Sequence, residues 1–126
     1  MSTISNTQTV TEFYTRAFND GEPESAAATA LGDTYVQHNP SAPDGAAAFI
    51  SYVHSMRQKF PGLHVSVRRT VSEGDYVVTH SEFHLVPGDR GMAVADIWRL
   101  SEGKIVEHWD VMQPVPEQAA NTNSMF

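Results

Sequence analysis

The stretch Lys104–Gln113 (KIVEHWDVMQ) carries a histidine and an aspartate two residues apart, His108 and Asp110. Alternate residues of a β-strand point to the same face, so the two side chains would lie together on a strand. An imidazole beside a carboxylate is a typical arrangement for general acid–base chemistry. A second strand-like run, Met92–Leu100, places another carboxylate, Asp96, among apolar residues.

The hairpin between these two runs decides which side chains meet. Residues 101–103 (Ser-Glu-Gly) predict a three-residue loop, with glycine where a left-handed residue is needed. Counting back from this loop places Asp96 opposite His108, and Val94 opposite Asp110. Both carboxylates and the imidazole would then share one face with apolar residues. The alternative is a row of solvent-facing positions on a half-exposed sheet, which the apolar neighbours argue against.

Two carboxylates on one apolar face would divide the roles of acid and base. Asp96 and Asp110 could not both ionise freely, so one of them would tend to hold a proton. Trp98 and Met112 have the same parity and would strengthen this effect by desolvation. The alternative is that one aspartate only orients His108 while the other faces water.

A second polar group, His38 and Asn39, precedes Pro40 at the end of an extended segment. A junction between helix and sheet can lie at a pocket mouth, where an asparagine amide can hold an oxyanion or a water. The alternative is a turn in which Asn39 bonds its own backbone. The candidate catalytic residues are Asp110, Asp96, His38 and His108.

Hydrophobic periodicity predicts helices first and strands afterwards. The predicted helices are Thr7–Asn19, capped by Thr7 or Asn6, then Pro23–Leu31, then Gly45–Lys59, capped by Asp44. The predicted extended segments are Tyr35–Pro40, His64–Val71, Tyr76–Val86, Met92–Leu100 and Lys104–Gln113. This order predicts one α+β domain over residues 1–126, with helices on the concave face of a curved antiparallel sheet and a pocket between them.

Aromatic and apolar residues of these elements would form the core or the wall of the pocket. The hydroxyl groups of two tyrosines could point inward, although packing is the ordinary role of such side chains. The candidate substrate-binding residues are Asn39, Tyr14, Tyr35, Trp98, Phe49, Val53 and Met112.

The composition excludes several classes of partner. The formal net charge is −7, and no basic run or Gly-rich phosphate loop occurs, so we expect no nucleic acid partner. No apolar run is long enough to span a bilayer, and the N-terminus lacks the basic and apolar parts of a signal peptide, so we expect no membrane association. The absence of cysteine is compatible with the cytoplasmic location that we predict.

The six histidines do not predict a metal site. The motif H-E-x-x-H is absent, and His80 and His84 would lie about 13 Å apart on a strand, too far for one ion. A set formed by His38, His108 and Asp110 could converge only through tertiary structure. We therefore predict no metal.

Five segments together resemble one known family. They are YVQHNP (Tyr35–Pro40), SEGDYVVTH (Ser72–His80), ADIWRL (Ala95–Leu100), GKIVEHWDVMQPVPE (Gly103–Glu117) and ANTNSMF (Ala120–Phe126). The combination resembles the SnoaL-like branch of the NTF2-like superfamily. The resemblance implies a cone-shaped α+β barrel with a deep pocket, a homodimer through the sheet, and no cofactor.

Relatives in this superfamily include polyketide cyclases, ketosteroid isomerases and limonene epoxide hydrolases, which use pocket carboxylates as acid or base. Asp110 matches the acid–base aspartate of the cyclases. Asp96 stands where we align a cyclase histidine, and this departure puts the cyclase reaction itself in doubt. The resemblance also selects His80 as a substrate-binding residue from the three titratable residues His80, Glu82 and His84. Pairing Val86 with Met92 would place that group on the face of Asp96.

We therefore predict a cofactor-free enzyme acting by Asp/His acid–base catalysis on a small apolar carbonyl or ring compound, by aldol cyclisation, isomerisation or hydrolysis. The alternative is a non-catalytic domain that binds a small ligand or mediates dimerisation. For the homodimer interface, the candidate residues on the outer sheet face are Ile97, Ile105, Trp109 and Val111.

Overall fold

The computed structural model describes residues 4–126, which form three helices and five strands. The helices are α1 (Asn6–Phe18), α2 (Pro23–Ala30) and α3 (Ala46–Lys59). The strands are β1 (Leu31–Gln37), β2 (His64–Glu73), β3 (Tyr76–His84), β4 (Met92–Ser101) and β5 (Lys104–Pro114). Within this range, no helix combines the length and apolar character needed to cross a bilayer.

The strands form one curved, open sheet in the order β1-β5-β4-β3-β2. The predicted α+β class is confirmed. The sheet is mixed rather than purely antiparallel, because β1 runs parallel to β5. Strand β1 begins at Leu31, directly after α2, and ends at Gln37, so it starts and stops earlier than the predicted segment Tyr35–Pro40.

Helix α1 begins one residue earlier than predicted. Its cap is Ser5, whose hydroxyl accepts a hydrogen bond from the Gln8 N–H at 3.1 Å, rather than Thr7 or Asn6. The predicted apolar stripe packs inward, and its residues are all buried: Val10, Phe13, Tyr14, Ala17 and Phe18. Phe13 and Tyr14 reach Trp98 of β4, with ring centroids 5.9 and 5.4 Å from the indole. The helix therefore seals one side of the sheet, which we call the inner face.

The predicted cap of the third helix is wrong. Gly45 occupies the N-cap position of α3 with φ +97°, a conformation that favours glycine, and no side chain caps the helix. The Asp44 carboxylate instead accepts a hydrogen bond from the Gln37 N–H at 2.7 Å. The Gly45 N–H donates to the Tyr35 carbonyl at 2.9 Å. These two hydrogen bonds attach the segment before α3 to the end of β1, which carries part of the site.

The β4–β5 hairpin differs from the predicted register at two points. The turn has two residues, Glu102 and Gly103, at φ 51° and 76°, so Ser101 pairs with Lys104. A β-bulge then makes Val106 an extra residue between two ladder pairs. Each one-residue change by itself would exchange the inner and outer faces of β5. The two changes together return the residues beyond the bulge to their predicted faces.

Beyond the bulge, the predicted faces are therefore recovered, but the cross-strand partners differ from the predicted ones. Asp96 lies opposite Asp110, not opposite His108, and Val94 lies opposite Met112, not opposite Asp110. The bulge also turns Ile105 into the core, where it is fully buried, so its predicted place on the outer face is wrong.

The β3–β4 connection also differs from the prediction. Strand β3 ends at His84, and Phe83 rather than Val86 pairs with Met92. This odd shift in register puts Thr79, not Glu82, opposite Asp96. The even-numbered residues of β3 therefore lie on the outer face, and the odd-numbered ones are buried.

Candidate active site

Asp96, His108 and Asp110 meet on the inner face. Asp96 and Asp110 form a cross-strand pair, and His108 lies two residues before Asp110. His108 Nε2 is 2.8 Å from Asp96 Oδ1 and 3.9 Å from Asp110 Oδ2. The sequence pattern and the compensating bulge together bring an imidazole and two carboxylates within contact distance.

The Asp96 carboxyl is enclosed by hydrogen-bond donors. Its residue is 1% exposed. The Thr79 hydroxyl donates to Asp96 Oδ2 at 3.2 Å, and the Trp98 indole N–H donates to Thr79 at 3.1 Å. Burial raises the pKa of the Asp96 carboxyl above its ordinary value, against the opposing hydrogen bond and charge of His108. The Asp96 carboxyl is thus shielded from bulk water and lies within hydrogen-bonding distance of a donor.

Gln37 determines which nitrogen of His108 carries a proton. The Gln37 amide oxygen accepts a hydrogen bond from the Asn39 backbone N–H at 3.0 Å, which fixes the orientation of the amide. The same oxygen lies 2.8 Å from His108 Nδ1, so Nδ1 must be the donor. His108 Nε2 therefore faces Asp96 Oδ1 with one proton between them, carried by either group.

Both ring nitrogens of His108 are consequently engaged. The ring also packs on Trp98, with centroids 4.3 Å apart. This geometry favours an action of His108 through its carboxylate neighbours over direct contact with a substrate.

Asp110 is the carboxylate that faces the cavity. Its side chain is 10% exposed, against 2% for Asp96. The Asn39 amide nitrogen lies 2.9 and 3.0 Å from its two oxygens, and the Asn39 amide oxygen accepts from the Ser41 N–H at 2.8 Å. Asn39 thus combines the two roles considered from sequence, because it closes a local turn and contacts the site. The remaining lone pairs of Asp110 are available to a ligand or to water.

Two adjoining cavities share Tyr14, Tyr52 and Asp110. The first has an empty volume of about 470 Å³ measured to its open mouth. Its wall is formed by Tyr14, Phe18, Tyr35, Gln37, Asn39, Ala42, Pro43, Phe49, Tyr52, Asp96, Trp98, His108 and Asp110. The second cavity is lined on its far side by Met56, Phe83, Met92, Val94 and Met112. Asp110 therefore stands where a mostly aromatic cavity meets a mostly aliphatic one.

Residues 10–108 match the SnoaL-like domain family. The chain belongs to this family. None of the curated proteins matches the chain.

Solved structures share the fold of this SnoaL-like chain at low sequence identity. TsrD from Streptomyces laurentii is 22% identical, with a TM-score of 0.73 over 89% of this chain and 91% of its own. IdmH from Streptomyces antibioticus, a proposed polyketide cyclase, is 23% identical, with a TM-score of 0.70 over 86% and 92%. A proposed polyketide cyclase from Acidithiobacillus ferrooxidans is 19% identical, with a TM-score of 0.71 over 89% and 91%. At these identities the likeness establishes the fold.

Three residues predicted for the site lie outside the cavities of this SnoaL-like domain. The His38 ring is on the outer face, stacked on Trp109 with centroids 4.7 Å apart and paired with Glu107 at 2.7 Å. His80 contacts Arg69 on the outer face, because the β3–β4 register places it there. Val53 is fully buried in the core and does not line either cavity.

The other predicted substrate-binding residues line the cavities: Asn39, Tyr14, Tyr35, Trp98, Phe49 and Met112. Sequence reasoning missed Gln37, Thr79 and Tyr52. A signal existed for Gln37, which shares a strand face with Tyr35 and lies two residues before Asn39. Tyr52 follows Phe49 by one helical turn, which also indicated a common face. Thr79 could be found only from the β3–β4 register.

Within residues 4–126, one group of side chains could converge on a cation: Asp96, His108 and Asp110, whose donor atoms lie within 4.8 Å of one another. The closest pair of these atoms is already joined through a proton, and both Asp110 oxygens accept from Asn39. The hydrogen bonds therefore account for this arrangement without a metal, and the cofactor-free site remains a prediction.

The raised pKa of Asp96 predicts a specific dependence of stability on pH. An unfolded aspartate titrates near pH 3.9, at about its reference pKa. Because the folded-state pKa is higher, the native protein still holds this proton where the unfolded chain has lost it, so rising pH destabilises the native state. We expect the free energy of unfolding of the wild type, relative to Asp96→Asn, to fall as pH rises from about 4 toward neutrality. Urea denaturation of both proteins across this range measures the difference, and a difference that rises with pH contradicts the assignment.

Proposed function

We propose that this SnoaL-like protein is a cofactor-free enzyme that performs acid–base chemistry on a small neutral carbonyl or ring compound. The observation that carries the proposal is that two neighbouring carboxylates have different environments. Asp96 is sealed in the core with a proton shared with His108, while Asp110 faces the cavity and is held by Asn39. Environments that differ in this way separate the roles of paired titratable groups.

In this proposal Asp110 is the general base. It removes a proton from carbon next to a carbonyl, or from a water that attacks the substrate, and the proton remains on Asp110 until it is returned. The Asp96–His108 pair keeps its own proton and is neutral as a unit. It therefore places a fixed dipole beside Asp110 without competing for the substrate proton.

The lining of the cavities supports a neutral, largely apolar substrate. Within the described part of the chain, neither cavity is lined by lysine or arginine. An anionic substrate would meet the Asp110 carboxylate without a compensating cation. Aromatic walls favour flat or cyclic apolar groups. The proposed cyclase role of IdmH is compatible with this chemistry.

Proton abstraction can be tested before the natural substrate is known. A panel of cyclic and aromatic ketones and 1,3-dicarbonyl compounds is incubated with the protein in D₂O, and NMR follows deuterium entering the carbon next to the carbonyl. The proposal expects enzyme-dependent exchange in at least one compound. Saturable binding of these compounds without exchange or hydrolysis would instead identify a ligand-binding domain.

We also propose a homodimer formed through the outer sheet face. A row of apolar residues crosses four strands there: Val71, Val78, Ile97 and Trp109. Val111 on β5 is 72% exposed beside this row. A continuous apolar patch of this kind is typical of an interface between subunits.

We expect the wild type to sediment as a dimer at micromolar concentration and Val78→Lys to sediment as a monomer, because a lysine ammonium cannot be buried unpaired in the interface. Val86→Lys is the matched control, since Val86 is exposed in the β3–β4 connection outside the row. This control should remain dimeric. A monomeric wild type, or a dimeric Val78→Lys protein, would refute the proposed interface.

A further inference from the structure

The Tyr35 hydroxyl has its acceptor side occupied and its proton free. The Gln37 amide nitrogen lies 3.2 Å from the Tyr35 oxygen. Because the Gln37 amide oxygen accepts from the Asn39 N–H and from His108 Nδ1, the nitrogen must be the group that faces Tyr35. Gln37 therefore donates to Tyr35, and Tyr35 cannot donate back to it.

No acceptor for the Tyr35 proton occurs among residues 4–126, although the side chain is buried and lines the cavity that contains Asp110. The ring is fixed edge-on against Phe49, with centroids 6.2 Å apart at 81°. Burial raises the pKa of Tyr35, and the charges of both site carboxylates add to this effect. The hydroxyl thus remains protonated in ordinary buffers and is held in one position.

Two other groups that could donate in the first cavity, His108 and Asn39, are already engaged. Both nitrogens of His108 are engaged, and the Asn39 amide is directed at the Asp110 carboxylate. The Tyr14 hydroxyl lies beside the Asp96 carboxyl, and burial together with this carboxyl raises the pKa of Tyr14. Tyr52 makes no hydrogen bond through its hydroxyl within the described chain, and its side chain is only half-buried where it packs against the core.

We propose that the Tyr35 hydroxyl is the catalytic donor to the substrate oxygen on which negative charge develops, and that Gln37 is its positioning residue. This inference rests on the proposed function. When Asp110 takes the proton, the C–H bond breaks, its electron pair forms the new C=C bond, and the π pair of the C=O bond moves onto the oxygen. The Tyr35 O–H bond is not broken; it donates a hydrogen bond to this enolate oxygen. Return of the proton from Asp110 to carbon completes the step.

Binding of an enolate mimic tests the donor separately from turnover. Asp110→Asn mimics the neutral, protonated base and removes its repulsion of an anion, so it is the background for the measurement. The probe is 4-nitrophenol, whose absorbance reports whether it binds as the phenolate, and 4-nitrotoluene is the control that lacks the oxyanion. In this background we expect Tyr35→Phe to weaken phenolate binding about 10- to 100-fold, the range for a hydrogen bond to a charged group. Binding of 4-nitrotoluene should stay unchanged, and Tyr76→Phe, at an exposed tyrosine on the outer face of β3, should leave both affinities unchanged.

Gln37→Glu tests the positioning role, because glutamate keeps the acceptor for His108 and removes the donor to Tyr35. The Tyr35 hydroxyl would then donate to the introduced carboxylate and be lost to the ligand. The loss in phenolate binding due to Tyr35→Phe should therefore largely disappear in the presence of Gln37→Glu. Fully additive losses would show that the introduced carboxylate acts by its charge alone and would overturn the positioning role.

The outcomes separate this inference from the proposed function. Absence of phenolate binding to the Asp110→Asn protein, or equal binding by its Tyr35→Phe derivative, overturns the donor role. A larger loss from Tyr52→Phe than from Tyr35→Phe does the same. Failure of the deuterium exchange screen contradicts the enzymatic function, whereas Tyr35-dependent phenolate binding remains measurable on its own.

Discussion

Asp110→Asn is expected to slow proton abstraction about 1,000-fold, within the range that general base catalysis contributes. The substitution keeps the shape of the side chain and still offers an oxygen to the Asn39 amide, which lies 2.9 Å from Asp110 Oδ1. It removes the lone pair that would accept the substrate proton. The cavity and its aromatic wall should therefore persist while the chemistry is lost.

The measurement is deuterium exchange by NMR with the best compound from the ketone panel. Asp33→Asn is the matched control, because Asp33 is exposed on β1 and makes no hydrogen bond through its side chain within residues 4–126. Its exchange rate should equal that of the wild type. An Asp110→Asn protein that retains the full rate would show that another group is the base.

Asp96→Ala is expected to lower the free energy of unfolding by about 3 kcal/mol, the cost of orphaning buried hydrogen-bonding groups and breaking a buried pair. The Asp96 carboxyl accepts from Thr79 at 3.2 Å and faces His108 Nε2 at 2.8 Å. Alanine supplies no acceptor to either group and leaves a small cavity beneath Trp98.

Asp96→Asn separates the loss of hydrogen bonds from the loss of charge. Its amide can accept from Thr79 and donate to a neutral His108, whose other nitrogen keeps the proton that Gln37 requires. We expect Asp96→Asn to stay within about 1 kcal/mol of the wild type at neutral pH. Urea denaturation of the three proteins gives the comparison. Equal stability of Asp96→Ala and Asp96→Asn would mean that the network around Asp96 contributes nothing to the fold.

The common face of His108 and Asp110 was accessible from sequence because alternation along one strand is a local property. The exact cross-strand partners were not accessible. Two left-handed residues at the turn shorten the loop by one, and the bulge at Val106 adds one residue, so the two deviations cancel in parity but not in register. The prediction that Asp96 shares this face thus depended on compensating changes that no periodicity reports.

His38 and His80 illustrate the opposite outcome. Both are polar residues in segments that resemble the family, and both lie on the outer face. His38 follows the last residue of β1, where its ring stacks on Trp109, while Asn39 reaches Asp110 from the next position. A difference of one residue decides which of these neighbours meets the site, because adjacent residues of an extended chain point to opposite sides.

The amino-acid sequence by itself determined the order of helices and strands, the apolar stripe of α1, and the concentration of titratable residues in β4 and β5. These depend on the periodicity of side chains along a single element. The tertiary structure alone decided that Gln37 links Tyr35 to His108, that Thr79 lies opposite Asp96, and that Asn39 holds Asp110. These contacts join residues that are distant in the chain, and their existence depends on registers and bulges fixed by the packing of the whole sheet.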